Sequence, residues 1–117
     1  MEMFDELNAL GADLNSALAR FMGNAQLLEM ILKKTPESIE KNGDVVEQID
    51  SGNIDAAILK AHTLKGNMGN LSITPLYEAY TEITELLRSG KTDEARQKTL
   101  DIQPLQQRVI DTIKRYS

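Results

Sequence analysis

The residue with the clearest chemical potential in this chain is its single histidine, His62. Lys65, Gly66 and Gly69 follow it at three, four and seven positions, and Asp55 precedes it by seven. On an α-helix this spacing places all of these residues on one stripe, because residues three, four and seven apart share a face. The stripe combines an imidazole, a cation one turn away and two glycines, each of which costs a helix about 0.5–1 kcal/mol relative to alanine.

That combination suits phosphoryl transfer to and from a histidine. Neutral imidazole is a good nucleophile toward phosphorus, and the phosphoramidate that it forms is a reversible store of the phosphoryl group. The reaction depends on positioning and on charge neutralisation, and Lys65 can offset part of the phosphate charge. The two glycines leave bare backbone beside the ring, where another molecule can approach. We therefore predict that His62 is phosphorylated, through Nε2, the nitrogen farther from the backbone.

Other interpretations of the same residues stay open. A lone histidine on a helix is usually an ordinary surface residue, and glycines inside helices often serve close packing. A metal site is a poor alternative, because the chain has one histidine and no cysteine, so no metal or other cofactor is expected. The sequence contains no P-loop and no glycine-rich nucleotide loop. We therefore expect phosphate to arrive from partner proteins rather than from ATP.

The composition is that of one acidic globular domain covering residues 1–117. Hydrophobic residues make up 41% of the chain, a normal globular content. The formal charge of −5 disfavours binding to nucleic acid, whose phosphates carry the same sign. A signal peptide would require basic side chains near its start, and the first eight residues include none. The chain also contains no apolar run long enough to span a membrane. We expect a cytoplasmic monomer that binds neither nucleic acid nor membrane.

Helix caps and turn residues divide the chain into five amphipathic segments. Asp13, Asn24 and Asn53 are predicted N-caps, and Pro36 is expected to kink the second segment or to restart it, with a second weak point at Asn42-Gly43. No stretch alternates with period two for long enough to form a strand. Short connections between long helices indicate antiparallel neighbours, so the expected fold class is all-α, an up-down antiparallel four-helix bundle with a short N-terminal helix. The segments run over Leu14–Met22, from Asn24 to Ser51-Gly52, over Ile54–Leu71, over Thr74–Ser89 and from Thr92 to the C-terminus.

His62 lies on the third of these segments, away from the predicted core. At about 100° per residue, its side chain is roughly 120° round from the middle of the apolar face. This position predicts a ring that reaches solvent. The residues that define the apolar face are Ile54, Ala57, Ile58, Ala61, Leu64 and Met68.

The segment Ala61-His62-Thr63-Leu64-Lys65-Gly66 resembles the histidine phosphotransfer (HPt) domains of bacterial two-component phosphorelays. The similarity continues through Asn70-Leu71, where the family commonly has Asn-Leu-Gly and this chain has Ser72 in place of the glycine. Asn67 also departs from the family, which usually has a small residue there. The likeness extends over nearly the whole chain, with similar segments at Leu10–Asp13, Arg20–Asn24 and Leu87–Gly90.

The resemblance implies a phosphocarrier rather than an enzyme. His62 would accept a phosphoryl group from a receiver-domain aspartate and pass it to another receiver, with Lys65 as the cation beside the phosphate and Gly66 as the clearance glycine. The implied partners are response-regulator receiver domains and a hybrid sensor histidine kinase. Chemotaxis kinases contain a phosphotransfer domain with the same hexapeptide, which their own ATP-binding domain phosphorylates. That domain, and a helical interaction module without chemistry, are the alternatives.

Helix pairing predicts the surface that a receiver would cover. On antiparallel packing, His62 lies level with residues 41–43 of the preceding segment and with Ile83 and Thr84 of the following one. We expect Thr84 to donate a hydrogen bond to the phosphoryl group, with Arg88 as a weaker candidate. The predicted partner-binding residues are Asp55, Ile58, Leu59, Gly69, Ile39, Asn42, Thr84 and Arg88.

Overall fold

The structure, a computed structural model, describes all residues from Met1 to Ser117 and contains helices but no strands. The predicted all-helical fold class is therefore confirmed. The structure divides the chain into seven helices rather than the five predicted segments. They are α1 Glu2–Ala9, α2 Leu14–Arg20, α3 Ala25–Asn42, α4 Val45–Asp50, α5 Ile54–Asn70, α6 Thr74–Arg88 and α7 Thr92–Arg115.

Two of the helix starts are fixed by the side chains that the sequence indicated. Asp13 caps α2, because its Oδ1 accepts a hydrogen bond from the backbone N–H of Ser16 at 3.2 Å. Asn24 caps α3 in the same way, with a 3.0 Å bond from the N–H of Leu27. Each cap satisfies a backbone donor that would otherwise lack a partner in the first turn of the helix. These two predicted caps are confirmed. Asn53 precedes α5 without a capping side-chain bond, and its Nδ2 donates instead to Oε1 of Gln48.

The predicted second segment is divided at one place. Of the two outcomes predicted at Pro36, the restart does not occur, because α3 continues through it to Asn42. The break falls at Gly43, in the second weak point that the sequence indicated, and the separate short helix α4 begins at Val45. The N-terminal segment, for which no helix was predicted, forms α1.

The first helix is stabilised by contacts with the last one. Met3 and Leu7 of α1 are buried in the shared core. The Glu6 carboxylate accepts hydrogen bonds from the Tyr116 hydroxyl and the Arg115 guanidinium. These bonds, that from Tyr116 above all, hold the pKa of Glu6 below its ordinary value. Because the partners lie more than a hundred residues away, the local sequence alone did not indicate this helix.

The longer helices surround the core in a closed order of contacts. Helix α5 packs against α6 on one side and against α3 and α4 on the other, and α7 contacts α6, α3 and α4. Helix α2 packs against α3, and the N–H of its N-cap residue, Asp13, donates to the carbonyl of Ser72 in the turn that follows α5. Since α5 has packed neighbours on two sides, one face of it remains outward.

Candidate functional site

His62 lies in the middle of α5 on the outward face. The buried residues of this helix are Ala57, Ala61, Leu64 and Met68, and none of them retains exposed surface. The exposed residues of the helix follow one another at helical spacing, and they are Asp55, Leu59, His62, Gly66 and Asn70. Neither ring nitrogen of His62 is hydrogen-bonded to another residue. The predicted exposure of the histidine is therefore confirmed.

The histidine lines an open cleft of about 610 Å³ between α2, the second half of α5 and the start of α6. Lys65, Gly66 and Gly69 line the same cleft, so the structure brings this part of the predicted stripe together there, whereas Asp55 lies outside the cleft. Sequence reasoning missed the other lining residues, because no periodicity shows which helix α2 packs against. These residues are Asp13, Ser16, Arg20, Asn70, Ser72, Thr74 and Tyr77.

The two glycines of the stripe have different surroundings. A Cβ built on Gly66 would have no atom within 4 Å, apart from its own helix backbone, so the surface there is open. A Cβ built on Gly69 would lie 2.8 Å from Cδ1 and 2.9 Å from Cε1 of Tyr77. The space beside Gly69 is thus filled by a side chain of α6. Packing against Tyr77 accounts for the absence of a side chain at Gly69, and contact of this residue with a partner stays a prediction.

Two of the predicted partner-binding residues are buried in the core. Ile39 and Thr84 are each only 1% exposed, and the Thr84 hydroxyl donates a 2.7 Å hydrogen bond to the carbonyl of Tyr80 in its own helix. Both were wrongly placed on the docking surface, and Thr84 cannot reach a phosphoryl group on His62. Helix pairing sets the level of a residue along the bundle, but it does not set the direction in which its side chain points.

The remaining predicted contact residues keep some exposed surface. Asp55, Leu59 and Arg88 are exposed, and Ile58 and Asn42 are half-buried. Leu59, one turn before His62, is 66% exposed. Asn42 lies in a separate shallow cavity on the α3 side of α5. Contact of these residues with a partner stays a prediction.

The cleft has more basic than acidic side chains. Arg20 and Lys65 line it, and neither forms an ion pair, whereas six other basic side chains of the protein do. The cleft contains one carboxylate, that of Asp13, whose Oδ1 is occupied by the N-cap of α2. The cleft is therefore locally cationic on a protein of net charge −5. Such a site favours anions.

Two kinds of feature are absent from the structure. No three histidine, cysteine or acidic side chains lie close enough together to hold a metal ion. None of the helices combines the length and the apolar composition needed to cross a lipid bilayer.

Comparisons of the chain with protein-family models, curated protein sequences and solved structures found no match. The case for a function therefore depends on the chemistry of the His62 cleft and on the resemblance of the surrounding residues.

Proposed function

We propose that this chain is a histidine phosphotransfer module, an antiparallel four-helix bundle in which His62 accepts a phosphoryl group from a receiver-domain aspartate and passes it to another receiver. The observation that supports this proposal most strongly is the position of His62. Its ring is exposed in the middle of α5 and forms no hydrogen bond within the protein, with open space over Gly66 and a cation at Lys65. A histidine buried for a structural role is expected to hydrogen-bond within the protein, and His62 is neither buried nor bonded.

The proposed reaction uses only the imidazole and the two aspartates. Nε2 of His62 attacks the phosphorus of an aspartyl phosphate, so that an N–P bond forms while the P–O bond to the aspartate breaks. The aspartate leaves as a carboxylate, and the Nδ1 proton stays on the ring. Lys65 offsets part of the phosphoryl charge throughout. Attack by the aspartate of a second receiver reverses these changes and restores the neutral imidazole.

The proposed partners are response-regulator receiver domains and a hybrid sensor histidine kinase. The chain has no nucleotide-binding motif of its own, so the phosphoryl group must come from such a partner. The partners also imply a cytoplasmic location. A module that accepts and releases receivers in turn needs transient contacts, which favours a monomer with a modest interface.

The test is incubation of the protein with a receiver domain that has been phosphorylated on its aspartate. We expect acid-labile, alkali-stable phosphate on the wild-type protein and none on His62→Gln, whose circular dichroism should be unchanged because residue 62 is exposed. Undiminished labelling of His62→Gln would overturn the assignment. Labelling only by the ATP-binding domain of a chemotaxis kinase would favour that alternative, and no labelling by any donor would favour an interaction module.

A further inference from the structure

Ser72 ties both ends of α2 to the turn that follows α5. Its backbone carbonyl accepts a 2.8 Å hydrogen bond from the N–H of Asp13, the N-cap of α2. Its Oγ accepts a 2.6 Å hydrogen bond from Nη1 of Arg20, the last residue of the same helix. Helix α2 is therefore fixed relative to the helix that carries His62. Through this contact the Arg20 guanidinium is held at the cleft.

The backbone of Ser72 adopts a conformation that favours glycine. Its φ is +52°, in the left-handed region that residues with a Cβ seldom occupy. The family that the chain resembles commonly has glycine at this position. A glycine has no oxygen to accept the bond from Arg20, however. The serine thus accepts backbone strain and provides an anchor for the arginine.

The cations of the cleft retain unused hydrogen-bond donors. Arg20 uses Nη1 for Ser72, so the donors on Nε and Nη2 remain available. Arg20 and Lys65 lack carboxylate partners even though the chain has 18 acidic residues against 13 basic ones. Guanidinium groups are particularly suited to phosphate, because their donors match its oxygens in a fork.

We propose that Arg20 and Lys65 form an anion-binding site beside His62 that takes a phosphoryl-sized dianion, and that Ser72 positions Arg20 in it. The use of this site in phosphorylation rests on the proposed function. Lys65 offsets the charge of the phosphoryl group near His62. Arg20 is a second cation, which attracts a dianionic phosphoryl group into the cleft. Binding of an anion can be measured without any transfer, which keeps the two proposals separable.

The first test is a titration with inorganic phosphate at constant ionic strength. Binding is monitored through the NMR signals of the Arg20 Nε–H group and of the Lys65 and Gly66 amides. Arg20→Gln should raise the apparent Kd about tenfold, the usual effect of losing one charge-assisted hydrogen bond. Arg108→Gln is the matched control, because Arg108 is also exposed and unpaired but lies on α7 outside the cleft. Equal affinities of these two variants would overturn the site.

A second variant tests the role of Ser72. Ser72→Gly removes Oγ but keeps the backbone bond from Asp13, and glycine adopts the left-handed conformation without strain. We expect unchanged or increased thermal stability together with phosphate binding weakened about threefold, because Arg20 is then less restrained. Phosphate affinity equal to that of the wild type would show that Ser72 does not position Arg20.

Phosphoramidate, a small anionic donor that phosphorylates histidine directly, links the site to the chemistry. At neutral pH its nitrogen is protonated, so that Nε2 of His62 forms a bond to phosphorus while the P–N bond breaks and ammonia leaves. Arg20→Gln should slow this labelling about three- to tenfold relative to Arg108→Gln. If no donor labels His62 while phosphate still shifts the Arg20 signal, the proposed function fails and the anion site stands. If labelling is normal in Arg20→Gln and phosphate binding is unchanged, the anion site is wrong and the phosphotransfer proposal stands.

Discussion

The ring of Tyr77 packs directly against the backbone of Gly69, where a methyl group would lie 2.8 Å from Cδ1 of the ring. Gly66, three residues earlier on the same stripe, would meet no such atom within 4 Å. Two glycines that look equivalent in the sequence therefore have separate roles. Gly69 lets α6 approach α5, and Gly66 keeps the surface beside His62 open.

Alanine substitutions should distinguish the two glycines by the sign of their effect on stability. Gly69→Ala should lower the free energy of unfolding by about 1–3 kcal/mol, because the ring of Tyr77 must move. Gly66→Ala should raise it by up to about 1 kcal/mol, since alanine is the better helix former and space is available. Urea unfolding measures both. In a Tyr77→Ala background the cost of Gly69→Ala should largely disappear, and a cost that persists would contradict the packing role.

Local sequence chemistry predicted the elements that depend on neighbouring residues. The caps at Asp13 and Asn24 and the inward face of α5 follow from side chains within a few positions of each other. Helix α1 could not be predicted in this way, because Met3 and Leu7 are buried only where the fold brings α7 against them.

The part of the candidate site that lies on a single helix was also predictable from the sequence. The exposed histidine, its cation and the open glycine lie on one helix, so helical periodicity was sufficient to group them. Arg20 belongs to another helix, and its place in the cleft depends on the contact with Ser72 that only the structure shows. The prediction for Thr84 was wrong for a related reason, since the direction of its side chain depends on packing rather than on its position in the sequence.

A bulky side chain at residue 66 should block a partner without affecting the imidazole itself. Gly66→Gln is predicted to slow phosphotransfer from a receiver domain by more than about tenfold, because interface overlap of a few atoms costs over 1.4 kcal/mol. Labelling by phosphoramidate, a far smaller donor, should change much less. Parallel rate measurements with the two donors make the comparison. Equal transfer rates from the receiver in wild type and Gly66→Gln would show that the open surface is not used for docking.

Lys65 is predicted to aid the transfer electrostatically without being required for it. Lys65→Ala should slow transfer or shorten the phosphohistidine lifetime about tenfold, the effect of one charge-assisted contact. The free energy of unfolding should change by less than about 0.5 kcal/mol, because Lys65 is partly exposed and forms no ion pair. Lys65→Arg serves as the charge-conserving control. Unchanged kinetics and lifetime in Lys65→Ala would make this residue a plain surface charge.

The buried pair Tyr80 and Gln106 predicts a pH dependence of stability in alkali. Burial is the main cause that raises the pKa of the Tyr80 hydroxyl from 10.0 to about 12, and this hydroxyl donates a hydrogen bond to the Gln106 side chain. Between pH 10 and 12 the unfolded chain has lost this proton and the folded protein retains it. Stability should therefore be independent of this group below pH 10 and fall by up to about 2–3 kcal/mol as the pH rises to 12.

Comparison with Tyr80→Phe isolates this contribution from those of the lysines, which titrate in the same range. At pH 7 the variant should be less stable by about 1–2 kcal/mol, because Gln106 loses its donor inside the core. Its stability curve between pH 10 and 12 should be flatter than that of the wild type. Parallel curves in urea unfolding at several pH values would contradict the assignment to Tyr80.

Substitutions at Leu59 should affect the docking of a receiver without affecting the reactivity of His62. Its side chain is 66% exposed one turn before His62, and it lies outside the cleft, so its replacement should leave the fold and the imidazole intact. Leu59→Asp is predicted to reduce transfer from a receiver about tenfold, since an apolar contact is replaced by a charge that must be desolvated. Phosphoramidate labelling of His62 should proceed at the wild-type rate. Leu59→Met, which keeps the apolar surface, is the control and should transfer normally. Equal loss with both donors would mean that the substitution disturbs His62 itself, and no loss with the receiver would place the docking surface on another part of α5.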